Sequence, residues 1–227
     1  MKRAALVLGD IRFQFKYGFY YIYLAFSAFY IALLFAFPAS WRATAGILMI
    51  YTDPAAMGLF FMGSIVLFEK SERVLDSLAV SPVRPWEYVA SKLSSIAVIS
   101  VVVGLVIGVV AGAVTHPFLF IVGIFLLSCI CSAIGLIVAK KITTLNQFML
   151  ATIPAEIVIN VPAVIRLFAY DEPWMLIHPG VSMIELCTGG SAWIPALMSL
   201  LLWTMLTGWL ACASVRKMMR SLGGIKL

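Results

Sequence analysis

Apolar residues dominate six stretches of the chain, at 19–37, 47–68, 94–114, 118–139, 148–168 and 193–215, and polar residues collect in the gaps between them. As a helix rising 1.5 Å per residue, each stretch is long enough to cross about 30 Å of hydrocarbon. The pattern predicts an all-α membrane protein with six transmembrane helices. Too little lies outside these runs to build a soluble domain, so 1–227 reads as one membrane domain. The composition agrees, at 63% hydrophobic and 11% charged residues.

Two of the gaps carry a pattern of their own. In 1–17, Val7, Leu8, Ile11 and Phe15 fall on one helical face, with Arg12 and Lys16 off it. That predicts an amphipathic helix lying at the membrane surface and leading into the first span. Asp10, Arg12 and Lys16 interrupt any apolar core there, which argues against a signal peptide. The second gap, 69–93, is the longest charged interval, with Glu69, Lys70, Glu72, Arg73, Asp76, Arg84, Glu87 and Lys92. Within it Val74, Leu75 and Leu78 share one face of a short helix, opposite Arg73, Asp76 and Ser77. Pro82 disfavours a helical Ser81 and so ends that helix. Pro85 suits the first position of the next helix, with Glu87 placed as a capping-box carboxylate. A small apolar ridge held outside the bilayer has two readings: a dock for a soluble partner, or an interfacial helix resting on lipid headgroups.

Charge fixes the orientation. All of the 16 Lys and Arg residues except Arg42 and Arg166 fall on one side: the N-terminal segment, the 69–93 loop, Lys140 and Lys141, and the residues after the sixth span. That side is expected to be cytoplasmic and to hold both termini of a multi-pass cell-membrane protein. The net charge of +6 follows from this asymmetry and the anionic inner leaflet, with no nucleic acid required.

The loop also carries a resemblance. Glu72, Arg73, Leu75, Asp76, Leu78, Val80, Ser81, Pro82 and Val83 look like the first cytoplasmic loop of ABC type-2 export permeases, and Lys92-Leu93 matches the Lys-Leu that closes it. In that family the short helix is the coupling helix, seated in a cleft of the ATP-binding subunit. The resemblance implies that Glu72, Arg73, Val74, Leu75, Asp76, Leu78, Ser81 and Pro82 dock the ATPase. It also matches 1–17 to the family's N-terminal connecting helix. The sequence departs from the pattern at Arg73-Val74, where the family has Gly-Thr, and at Arg84, where it has a small polar residue.

Polar residues inside the spans mark candidate sites. Asp53-Pro54 lies in the second run, and an ionisable group at that depth faces protein or a water-filled path unless the span starts at Pro54. Met57, Phe60 and Phe61 follow it, either as a surface for an apolar substrate or as lipid-facing bulk. The fifth run holds Pro154, Glu156, Asn160, Pro162 and Arg166, a bent helix with polar groups at depth. Glu156 and Asn160 are i, i+4 neighbours, facing a path or a subunit contact. Arg166, about 15 Å along the axis from Glu156, cannot pair with it and is placed to reach Asp53. Gly104, Gly108 and Gly112 recur every four residues and favour close helix packing. The segment 169–192 predicts two short helices around a Pro-Gly break that dip into the outer leaflet, in the place where type-2 permeases have re-entrant helices. Thr115-His116-Pro117 predicts a tight outer turn.

Several chemistries are excluded. There is no phosphate-cradling G-x-x-x-x-G-K-[ST], no H-E-x-x-H and no G-x-S-x-G. Cys129, Cys131, Cys187 and Cys212 have no zinc spacing, and no catalytic residue or metal ligand is expected. The resulting expectation is a non-enzymatic permease subunit of an ATP-driven ABC exporter, moving an amphipathic or hydrophobic compound outward. Its partners would be an ABC ATP-binding subunit holding ATP and Mg²⁺, a second permease subunit (identical or a paralogue) and membrane lipid. Its size and the Tyr17-Gly18-Phe19-Tyr20-Tyr21 start of span one look similar to small drug-export permeases, including the fluoroquinolone-exporting kind. Two alternatives stand: a haem- or lipid-exporting permease of the same superfamily, and a proton-coupled secondary transporter using Glu156.

Overall fold

In a computed structural model the described residues, 2–52, 57–74, 83–168 and 172–222, contain helix and no strand. The helices are α1 (Lys2–Lys16), α2 (Phe19–Ala36), α3 (Arg42–Ile50), α4 (Met57–Ser71), α5 (Pro85–Ala111), α6 (Pro117–Ala139), α7 (Leu145–Phe168), α8 (Pro179–Thr188) and α9 (Trp193–Leu222). A 3-10 turn over Pro173–Ile177 precedes α8.

Five of these helices (α2, α5, α6, α7 and α9) are long and apolar enough to cross a membrane. The second predicted span is described on either side of residues 53–56, as α3 and α4, with Asp53-Pro54 and residues 55–56 outside the described residues. The Thr52 hydroxyl donates back to the Leu48 carbonyl at 2.9 Å, a bond that bends helices, and the turn at Tyr51-Thr52 is widened. The third span differs, because its helix begins earlier, at Pro85 in the first helical position. There the Arg84 N–H donates to Glu87 Oε2 at 3.1 Å, as the capping pattern predicts.

α6 is the centre of the bundle. Its apolar window is 67% buried, against 22% for α2, α7 and α9, and it touches α4, α5, α7, α8 and α9. On the outer helices, Leu24, Phe29, Phe35, Leu202, Met205 and Trp209 are exposed, as lipid-facing side chains should be. With lipid as apolar as the core, close packing rather than water exclusion holds such helices together. Gly135 supplies it between α4 and α6: an added Cβ would lie 3.0 Å from the Leu59 carbonyl carbon and 3.1 Å from its Cα. Gly104 and Gly108 pack against Ile124 and Phe120 of α6. Gly112 does not extend that row; it ends α5 in the left-handed conformation with φ 67°.

α8 is buried from Pro179 to Cys187 and contacts α3, α6, α7 and α9, so other helices enclose it. Cys129 and Cys131 are both buried free thiols. α1 meets the bundle with its polar face, as an amphipathic helix lying at the membrane surface should. Leu8 and Phe15 are exposed, while Gln14 is buried against α5 and Asp10 is nearly so. The apolar face is left for lipid, and the polar face is satisfied by partners on α5.

Candidate functional site

Both ends of the 69–93 interval converge on one charged cluster. Glu69 closes the last turn of α4, Lys92 lies in the second turn of α5, and Asp10 faces them from α1. Lys92 Nζ pairs with Asp10 Oδ1 at 2.6 Å and with Glu69 Oε1. The Tyr88 hydroxyl donates to Glu69 Oε2 at 2.6 Å, and the Ser91 hydroxyl donates to Asp10 Oδ2. One turn further along, Gln14 Nε2 donates to Ser95 Oγ at 2.8 Å. The Lys92 side chain is only 2% exposed, so this charge is held in a low dielectric by two carboxylates and by the Phe13 and Tyr88 rings at 5.6 and 5.5 Å. The arrangement cannot form unless α1, α4 and α5 meet. It therefore ties the N-terminal helix to both helices flanking the loop.

Around it the same end is pinned twice more. Lys70 Nζ donates to the carbonyls of Ala139, Lys140 and Ile142 at 2.6, 3.0 and 3.0 Å, closing the C-terminus of α6. Burial holds its pKa below the usual lysine value. The Tyr17 hydroxyl donates to Glu72, and that bond pushes the phenol pKa up. Glu72 and Arg73 are exposed and Val74 is half-buried. Arg73 has φ 55°, the left-handed conformation that favours glycine, so the residue at this helix exit carries the strain that the family's Gly would relieve. Leu75, Asp76, Leu78, Ser81 and Pro82 lie outside the described residues, as does Asp53.

The candidate path residues occupy different surroundings. Phe61 is buried edge-on against Phe19 and Tyr23, with ring centroids 5.2 and 4.7 Å away, as part of the α2–α4 contact. Met57 and Phe60 are half-buried. Glu156 and Asn160 sit one turn apart on α7, both half-buried, and Asn160 Oδ1 is enclosed without a hydrogen-bond partner. At the other end of the molecule, Arg166 Nη2 pairs with Glu185 Oε2 of α8 at 2.7 Å, while Glu185 Oε1 accepts from the Ala192 N–H at 3.1 Å. Glu185 was absent from the sequence reading, which offered Arg166 only Asp53.

Asp10, Glu69, Tyr88 and Lys92 were also missed as a group. A signal existed: Asp10 and Gln14 are i, i+4 on α1, and Glu69 and Lys92 bracket the loop with opposite charge. Nothing in the sequence, however, says that α1 folds back onto α5.

A family model described as the fluoroquinolones export permease protein family matches residues 2–215. Curated relatives include fluoroquinolones export permease proteins of two strains of Mycobacterium tuberculosis, CDC 1551 / Oshkosh and ATCC 25618 / H37Rv. Each is 29% identical over 152 residues, covering 66% of this chain and 64% of the relative. The match thus spans less than two thirds of the relatives' own length. With the family model covering nearly the whole chain, this protein belongs to the fluoroquinolones export permease protein family.

Proposed function

We propose that this chain is the membrane-spanning subunit of an ATP-driven ABC exporter that moves an amphipathic, drug-like compound outward. Two permease subunits would face each other, each receiving an ATP-binding subunit on its 72–84 loop. ATP and Mg²⁺ would be bound and used by those partners. The permease contributes motion, passing loop displacement into the spans as a rigid-body shift. The observation that carries this reading is the buried Lys92 cluster. With Asp10, Glu69 and Lys92 locked together, a push on the loop moves α1, α4 and α5 as one unit. The names of the relatives support a fluoroquinolone-like cargo, planar and amphipathic.

A second reading, proton-coupled transport through Glu156, is favoured by one observation: the Asn160 oxygen one turn away is enclosed without a hydrogen-bond partner. The two readings separate on energy source. Proteoliposomes holding this chain with its ATP-binding partner should accumulate a fluorescent fluoroquinolone only with ATP. Uptake driven by a proton gradient in liposomes without the partner would replace the first reading with the second.

A further inference from the structure

Two prolines lie inside α7, and the second disturbs its hydrogen bonding where three other elements converge. Pro162 has no N–H, so the carbonyl of Val158, four residues earlier, loses its helical donor. A carbonyl left without its donor at membrane depth needs another partner, and one is supplied from outside the helix: His178 Nε2 lies 3.1 Å from it. Because a carbonyl only accepts, His178 must carry its proton on Nε2. Nδ1 is buried with no hydrogen-bond partner, which suits the bare lone pair of the neutral ring. The next carbonyl, Ile159, accepts from the hydroxyl of Tyr51, at the widened turn where α3 ends.

Each donor is itself held. The Ile177 carbonyl, next to His178, accepts from Trp203 Nε1 at 2.8 Å and Ser199 Oγ at 3.1 Å, both on α9. The Tyr51 ring lies against Gly180, where an added Cβ would stand 2.8 Å from the ring carbons Cε2 and Cζ. Beside the kink lies an apolar cavity of about 480 Å³, lined by Pro162, Ile165, Trp174, Ile177 and Trp203. Space therefore lies beside Pro162, two hydrogen bonds hold the carbonyls just before it, and the Arg166–Glu185 pair holds the half beyond it.

We propose that Pro162 is a hinge in α7, and that His178 and Tyr51 form the clasp that holds it shut and lets go during each export cycle. This rests on the export reading, and it assigns to α7 the part that moves. Hinge positions that absorb such a change act on turnover while leaving assembly intact. His178 and Tyr51 are positioning residues in this account: they touch backbone, not cargo.

The test is a melting cycle combined with transport. His178→Leu removes the donor and should lower the melting temperature of the purified full-length protein. His178→Gln, whose amide N–H reaches close to the Nε2 position, should restore it. Pro162→Ala returns an N–H to the helix, so Val158 regains its own donor and His178→Leu should then cost less than half as much. Pro162→Ala should also slow export roughly tenfold while still binding its ATPase partner, because the hinge is lost and the fold is not. An equal cost of His178→Leu in both backgrounds, or wild-type export by Pro162→Ala, overturns the proposal. If Pro162→Ala is not recovered from membranes, amide exchange decides. His178→Leu must speed exchange over 163–168 and His178→Gln must not, and equal exchange in the two overturns the clasp. A wild-type protein that melts as described but exports nothing counts against the exporter reading and not against the clasp, which is judged on the melting cycle.

Discussion

Replacing Lys92 by Met tests the joint between the loop and the membrane helices. The substitution keeps the length and apolar stem of the side chain and removes its charge. Two carboxylates then remain, with side chains 14% and 5% exposed for Asp10 and Glu69, and each loses its cation. Removing one partner of a buried ion pair costs roughly 3–5 kcal/mol, because the remaining charge is left unpaired in a low dielectric. Tyr88 and Ser91 still donate to the two carboxylates and keep the loss within that range. At about 2–4 °C per kcal/mol for a chain of this size, the melting temperature should fall on the order of 10 °C. The cluster also predicts a rescue. Adding Glu69→Gln and Asp10→Asn removes the unpaired charges, so the triple variant should melt above Lys92→Met alone, a sign that simple cavity formation cannot give. Thermal unfolding of the wild type, Lys92→Met and the triple variant in one detergent measures both effects. A Lys92→Met protein that melts with the wild type, or a triple variant that melts lower still, would refute the buried-cluster account.

Other expectations are local. Leu75→Asp with Leu78→Asp charges the proposed docking ridge, where unpaired burial costs several kcal/mol, so the permease should insert normally yet fail to co-purify with its ATP-binding partner; retained co-purification would show that the dock lies elsewhere. Gly135→Val drives a branched side chain into the Leu59 backbone and should destabilise the α4–α6 contact by about 1–3 kcal/mol or more, visible as a lower melting temperature. Ser191, exposed at the end that the charge pattern places outside, should be labelled as Ser191→Cys by an impermeant thiol reagent on intact cells, whereas native Cys187 is buried and should stay silent. Glu156→Gln should still assemble with the ATPase but export a cationic substrate worse than a matched neutral one; equal loss of both with reduced yield would assign Glu156 to folding.

The parts of this molecule that hydrophobicity writes directly were legible before any coordinates. Apolar runs gave α2, α5, α6, α7 and α9, Pro85 with Glu87 gave the start of α5, and Pro179-Gly180 gave the paired short helices before α9. What escaped is long-range pairing of polar groups. Lys92 reads as the close of a loop motif, but its partners lie 23 and 82 residues away. Helical periodicity on α1 marks Leu8 and Phe15 as the membrane face, but it does not name what the polar face meets. At a membrane surface those side chains turn to lipid, and Asp10 and Gln14 turn inward because only the protein offers them partners. The end of α3 shows a third limit: at its widened last turn the Thr52 hydroxyl bonds back to the Leu48 carbonyl, a contact that no apolar pattern records.

The central claim is that partners on the loop drive this permease with ATP. Its most direct test is export by the reconstituted complex when the phosphate-binding lysine of the ATP-binding partner is replaced, measured beside the intact complex in vesicles with an imposed proton gradient. The account predicts that the replacement abolishes accumulation of a fluorescent fluoroquinolone and that the proton gradient alone moves none. Undiminished transport by the ATPase-dead complex would contradict it.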